Sequence, residues 1–270
     1  MKRYMKQLGI CLFALCIGVL FTRCEKDHLM IGVAEVQKPE GDGPEGDGPE
    51  GDGICGTVTD YDGNEYDVVK LGNQEWMAQN LRTTHYANGT YIPQGSTSSS
   101  TTAYRYCPGN SSSNVYQYGY LYNWKAVMRN SSSSSSNPSH VQGICPNGWH
   151  VPSDAEWTEL ENYVATCSYY TATSGNVAKA LASTENWSYS GDSGSVGNAP
   201  SQNNSTGFSA LPAGHYARGL YSFGFNAYFW SATESNSSYA YYLNLEYTNA
   251  FVYRNNVSKD CGFSVRCVRD

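Results

Sequence analysis

The sequence predicts an α+β domain of short antiparallel strands, two or so helices and long loops, stapled by disulfides. Three observations carry that reading. Ser153-Asp154-Ala155-Glu156 forms a capping box ahead of apolar residues at helical spacing. Beyond Phe208 the chain breaks into short alternating segments rich in Tyr, Phe, Trp and Val, punctuated by turn residues. Six cysteines remain in the body of the chain, an even number that suits an exported, disulfide-bonded domain.

The N-terminal segment establishes the export. Residues 1–6 carry three positive charges, and residues 8–21 read L-G-I-C-L-F-A-L-C-I-G-V-L-F. That apolar run is shorter than the roughly 20 residues a bilayer-spanning helix needs, and its basic flank is that of a secretory signal. We therefore expect residues 1–23 to be a signal peptide. Its end, Leu20-Phe21-Thr22-Arg23-Cys24, resembles a lipobox, with Arg23 standing where a small residue is usual. The resemblance implies that Cys24 is lipidated and becomes the mature N-terminus, so that acyl chains hold the protein to a membrane. Glu25-Lys26-Asp27 is similar to the short acidic export signal of Bacteroidota-type surface lipoproteins, which implies a surface-exposed outer-membrane lipoprotein.

Residues 24–54 read as a tether. Residues 39–53 are three copies of P-E-G-D-G, with six acids, no bases and nothing apolar to bury. Gly supplies flexibility, while Pro and like charges extend the chain, giving a span of roughly 30 Å between Cys24 and Cys55. Removal of residues 1–23 takes four positive charges away and moves the formal net charge from −7 to −11. Such a surface repels polyanions, so nucleic acid is excluded as a partner.

Residues 55–270 read as one domain. Ser-rich runs at 96–102 and 131–136 are loops within it, flanked on both sides by aromatic segments. Tyr is counted 23 times against 8 Phe, and charged residues make up only 15% of the chain, a balance that fits an extracellular, loop-rich domain. Asp60-Tyr61-Asp62-Gly63-Asn64 is a turn feeding a strand over residues 66–71. Its acids lack the glycine position and closing glutamate of an EF-hand. Spacing predicts one helix over 118–128 and another over 154–166, where Trp157, Leu160 and Val164 share a face. Strands are predicted over 208–211, 227–233, 239–247, 250–254 and 263–268.

The six cysteines are Cys55, Cys107, Cys145, Cys167, Cys261 and Cys267. They allow 15 pairings. If Cys261 and Cys267 lie on one terminal strand they stand about 20 Å apart and take different partners. No C-x₂-C spacing occurs, so no metal is expected, and no cofactor motif is present.

Several longer motifs carry a resemblance. D-Y-D-G-N-E-Y-D-V-V-K-L-G-N-Q-E-W-M-A-Q-N-L-R-T-T, Y-G-Y-L-Y-N-W-K-A-V, C-P-N-G-W-H-V-P-S-D-A-E-W, G-F-S-A-L-P-A-G, F-W-S-A-T-E and G-F-S-V-R-C-V-R-D occur in that order. Together they resemble the Fibrobacter succinogenes major paralogous domain, common on exported bacterial lipoproteins, from about Thr57 to Asp270. The helix start and terminal G-F-x-x-R strand are also similar, more distantly, to the C-type-lectin-like fold of formylglycine-generating enzymes. That likeness implies a Cys145–Cys267 disulfide, worth about 2–5 kcal/mol. It also raises an oxidase reading, for which Cys261 and Cys267 are the candidate redox pair, at a spacing wrong for the motif.

No catalytic constellation is found. Gly191-Asp192-Ser193-Gly194 resembles a serine-protease loop, but none of His85, His140, His150 or His215 has the context of its partner. His150, between Trp149 and Pro152, reads as a packed histidine rather than a base. The calcium-binding triplets of true C-type lectins, E-P-N or Q-P-D with W-N-D, are missing, so a bound sugar must be held by aromatic stacking and amide hydrogen bonds.

The candidate ligand face lies near the C-terminus. Alternation along Y-A-Y-Y-L-N-L-E-Y places Tyr241, Leu243 and Leu245 on a buried side and Tyr242, Asn244 and Glu246 on an exposed one. Asn249, Tyr253, Asn255 and Asn256 continue that surface. Tyr and Asn are the residues that antibody paratopes use for area and adaptable hydrogen bonding. The sequence therefore points to a non-catalytic, surface-tethered binding or display module for an extracellular glycan or protein. A structural envelope lipoprotein without a specific ligand is the plainer alternative. The lectin-like resemblance adds a third, the variable protein of a diversity-generating retroelement, with Asn244, Asn249, Asn255 and Asn256 as diversified positions.

Overall fold

Asp60 organises the first turn of the computed structural model, which describes residues 51–270. One carboxylate oxygen accepts the Asp62 and Asn64 backbone N–H groups at 2.9 and 3.0 Å, and the other accepts the Asn64 side-chain N–H and the Tyr66 hydroxyl at 2.9 and 2.6 Å. The acidic loop is thus an Asx turn closing the hairpin of β1 (Gly53–Thr59) and β2 (Glu65–Leu71). The expected signal peptide, Cys24 and the expected tether up to residue 50 lie outside the described residues. Asp52, in the last P-E-G-D-G copy, accepts the Tyr163 and Tyr170 hydroxyls, both at 2.6 Å, and the Gly72 N–H at 2.9 Å.

Next come β3 (Gln74–Met77), β4 (Arg105–Tyr106), α1 (Val115–Tyr118), β5 (Leu121–Asn123), α2 (Trp124–Met128) and β6 (Trp149–His150). The single helix predicted over 118–128 is therefore replaced by two short helices around a strand. Gly119 is the cause. It takes φ 71°, and a Cβ there would stand 2.6 Å from the Leu81 carbonyl, so the chain turns sharply and runs on as a strand.

The second helix forms as predicted: α3 spans Asp154–Thr166, with both capping-box hydrogen bonds present. It is followed by α4 (Ser168–Ser174), α5 (Val177–Leu181), β7 (His215–Tyr216), β8 (Leu220–Tyr221), β9 (Asn226–Glu234), β10 (Tyr239–Glu246), β11 (Val252–Ser258), β12 (Gly262–Phe263) and β13 (Val268–Arg269). The strands assemble into three antiparallel sheets, ordered β1-β2-β3-β13-β6, β11-β10-β9 and β4-β5-β12-β7-β8.

Two predicted strands dissolve because their carbonyls serve other partners. Arg266 is fully buried and donates to the Phe208 and Ser209 carbonyls, the Met77 carbonyl and the Asn80 side chain, all between 2.5 and 2.9 Å. The carbonyls of residues 208–209 serve this guanidinium instead of a ladder, and Ala210 keeps only an isolated bridge to Ala182. The predicted terminal strand over 263–268 divides likewise. Ser264 bridges Phe229, while the Val265 and Cys267 carbonyls accept from Leu81 and Met77, leaving β12 and β13 in different sheets. The strand predicted over 250–254 lies further on, as β11.

Sheet β11-β10-β9 divides the core. Trp230, Ala232 and Ala240 pack into one cluster with Tyr66, Tyr122 and Phe263, whereas Phe229, Leu243 and Leu245 pack into another with Trp76, Trp157 and Phe208. Cys145 and Cys267 are disulfide-bonded across 122 residues of sequence, as the lectin-like resemblance implied. This is the one disulfide among the described residues. Cys107 and Cys261 are buried thiols and Cys167 a half-buried one, so these three form no further disulfide among the described residues; Cys55 lies exposed on β1.

Candidate ligand-binding face

Cross-strand register shows where the predicted site residues stand. On one side of the sheet, Tyr253 of β11 is opposite Asn244 of β10, which is opposite Tyr228 of β9; Asn255, Tyr242 and Trp230 form the adjoining row. Glu246 is opposite Asn226. The predicted residues Tyr242, Asn244, Glu246, Tyr253 and Asn255 therefore share a face. Asn256 does not: it pairs with Tyr241 on the reverse side, which carries Arg254 over α3, where its guanidinium meets Asp154 at 3.3 Å and Glu161 at 3.1 Å.

The shared face is not uniformly open. Asn244 is buried, accepting a hydrogen bond from Asn226 at 3.3 Å, and Tyr242 is half-buried against Phe263 and Tyr228, with ring centroids at 5.1 and 5.7 Å. Alternation correctly separated the two sides, but the expectation that one is solvated fails because β12 packs on it. Glu246 is half-buried and accepts from Asn249 at 2.8 Å, so these two hold the turn after β10. The open part is the margin along β11, where Tyr253 is 42% exposed, Asn255 and Asn256 are exposed, and Phe251, just before the strand, is 69% exposed.

The sequence missed an aromatic group that β7 and β8 build at the opposite edge of the sheet, against β9. His215 sits between Tyr221 at 5.5 Å and Tyr228 at 5.0 Å, and Tyr221 is more than half exposed. The His215 Nδ1 is buried with no hydrogen-bond partner among the described residues, and burial lowers the pKa of the ring, keeping it neutral. Burial likewise pushes the Tyr228 phenol up to about 12. No motif marks these residues, since His215 meets Tyr228 only through the packing of two sheets.

The residues weighed for catalysis are otherwise engaged. Cys267 is tied to Cys145, while burial pushes the Cys261 thiol up to about 11, with Asp260 adding to the rise. They do not form a dithiol. His150 is buried with both ring nitrogens in hydrogen bonds, Nε2 to Glu156 at 2.6 Å and Nδ1 to Asp270 at 2.7 Å. Among the described residues no three His, Cys, Asp or Glu side chains cluster to hold a metal.

A family model, the Fibrobacter succinogenes major domain, matches residues 69–269, three-quarters of the chain. The chain belongs to that family. The match runs from within β2 to within β13, so the Cys145–Cys267 disulfide, the buried Arg266 and the β9–β11 sheet all lie inside the Fibrobacter succinogenes major domain. No curated protein and no solved structure matches the chain.

Proposed function

We propose that this chain is a cell-surface lipoprotein whose Fibrobacter succinogenes major domain, lectin-like in architecture, is a non-catalytic binding module for an extracellular glycan or protein. The observation that carries the reading is the β11 margin: Phe251, Tyr253 and Asn255 exposed on or beside an edge strand. Large aromatic groups beside amides on a rigid sheet give contact area at little entropic cost. The engagement of Cys267 and of both His150 nitrogens argues against oxidase or general-base chemistry at those positions. In this reading Cys24 carries the lipid that holds the protein to the outer membrane, and the P-E-G-D-G tether spaces the domain from the bilayer.

The test uses the mature chain, residues 24–270, on glycan and secreted-protein arrays. Specific hits are expected, weakened about 30-fold by Tyr253→Ala, the scale of losing an aromatic anchor worth about 2 kcal/mol. Arrays without hits, or hits indifferent to Tyr253→Ala and Asn255→Ala, would favour a structural envelope lipoprotein. The retroelement version is narrowed: Asn244 is buried and Asn249 holds a turn, which leaves Asn255 and Asn256 as exposed positions. Anchoring is read separately, as incorporation of labelled palmitate that Cys24→Ala abolishes.

A further inference from the structure

A second surface, sharing no residue with the β11 margin, is built where the β1–β2 turn meets the segments around residues 82–91 and 105–120. Planar groups alternate along it. The Tyr61 ring lies 5.5 Å from His85, and His85 lies 5.2 Å from Tyr91. The Arg105 guanidinium stands 5.2 Å from the Tyr91 ring and 4.8 Å from Tyr120. Arg82 is sandwiched between Tyr66 at 4.9 Å and Tyr116 at 5.3 Å. Tyr61, Tyr91 and Tyr116 are nonetheless 58%, 54% and 82% exposed.

The polar groups that these exposed rings rest against are fixed by hydrogen bonds. His85 Nδ1 meets Asp62 Oδ1 at 2.5 Å, and the other Asp62 oxygen accepts the Thr84 backbone N–H together with the Thr84 and Thr83 hydroxyls. These bonds hold the Asp62 carboxyl below its usual range against the opposing effect of burial, so it stays ionised. Arg82 donates Nε to Asn64 Oδ1 at 3.2 Å and Nη2 to the Glu65 carbonyl at 3.1 Å, and Arg105 Nη2 donates to the Tyr91 hydroxyl at 3.2 Å. Tyr91 is thus held through its hydroxyl, while Tyr61 and Tyr116 rest against His85 and Arg82, which these bonds fix in place. Beside the Arg82–Tyr116 pair lies a groove of about 380 Å³, lined by Asp62, Asn64, Arg82, Thr84, Tyr116 and Tyr120.

A pyranose fits this chemistry. Its axial C–H face is apolar and stacks on the negative face of an aromatic ring, while its hydroxyl rim needs donors and acceptors fixed side by side. Tyr116 supplies the platform, Arg82 the donors, and Asn64, Thr84 and Tyr120 groups that accept or donate. The ionised Asp62 and the net charge of −11 on the chain after residue 23 disfavour an anionic ligand. We propose that this groove is a second binding site, taking a neutral pyranose oligosaccharide without calcium.

The experiment is calorimetric titration of the mature chain, in EDTA, with cellohexaose, maltohexaose, xylohexaose and mannohexaose. Hexagalacturonate serves as an anionic arm and AMP as a planar aromatic one. At least one neutral hexasaccharide is expected to bind. Tyr116→Ala should weaken it at least tenfold and Tyr116→Phe, which keeps the ring, far less. Tyr253→Ala should leave it unchanged, so failure of the groove and failure of the β11 margin are read by different variants. Tyr116 is 82% exposed, so its removal leaves the core intact, and an unshifted melting temperature checks this. The proposal is overturned if none of the four neutral sugars binds, if hexagalacturonate or AMP binds in their place, or if binding survives Tyr116→Ala.

Discussion

Arg266 shows how much one residue organises. A guanidinium buried without a carboxylate is costly, and burial lowers its pKa to about 9. Four hydrogen bonds offset that cost, as does the Phe208 ring 4.6 Å from the guanidinium carbon. Removal of the side chain leaves three carbonyls and an amide oxygen unsatisfied in a dry interior. Arg266→Ala is therefore expected to lower stability by about 3–5 kcal/mol in urea unfolding, and Arg266→Lys to restore little, since one ammonium cannot reach the same fork of acceptors. A loss under about 1 kcal/mol would mean that the carbonyls find other partners. None of this was legible in the sequence. G-F-S-V-R-C looks like any alternating strand, and the partners of Arg266 lie 57 to 189 residues away. The same limit hid Asn244, whose burial depends on β9 and β12 rather than on its own strand.

At the scale of elements, what was legible is what is local. Ser153, Glu156 and the Trp157-Leu160-Val164 spacing specify α3 within a dozen residues, and the helix forms over the expected span. The paired strands β2, β9 and β10 were equally readable from alternation. The helix expected over 118–128 failed because a close approach to Leu81 decides the role of Gly119. Helix α3 also carries the pH dependence. Burial raises the Glu161 pKa to about 7, with Arg254 opposing and Asp154 adding to the rise. A carboxyl that holds its proton more tightly when folded loses stability between its unfolded pKa, about 4.3, and pH 7. His150 titrates in the next window. Burial lowers its pKa, but the hydrogen bonds and charges of Glu156 and Asp270 outweigh that and hold it above the usual histidine value. Its contribution is complete below about pH 6.5 and is lost as pH rises through the folded pKa. Both contributions make melting temperatures fall between pH 4.5 and 9, with His215, whose pKa burial lowers, opposing the fall below about pH 6.5. Glu161→Gln should flatten the acidic part and His150→Gln the part above pH 6.5; unchanged slopes would assign the pH response to other groups.

Across the whole molecule, the Cys145–Cys267 bond ties the approach to α3 to the last strand and closes a loop of 122 residues. His150 adds a second tie in the same place, joining β6 and the capping box to Asp270 at the chain end. The family motifs containing Cys145 and Cys267 meet at this junction, which is why a resemblance could anticipate a pairing that six cysteines alone leave open. Closing so long a loop restricts the unfolded chain, and by the chain-entropy relation its loss should cost about 2–5 kcal/mol. The Cys145→Ala, Cys267→Ala double variant should therefore melt well below the parent but still fold, because Val268 stays paired with both β3 and β6. Reduction of the parent with dithiothreitol should reproduce that shift, and reduction of the double variant should add nothing. A further drop in the reduced double variant would require a second disulfide in the chain. If the double variant still bound ligand at the β11 margin, the staple would serve stability alone; loss of binding with the fold retained would make the chain end part of what positions the face.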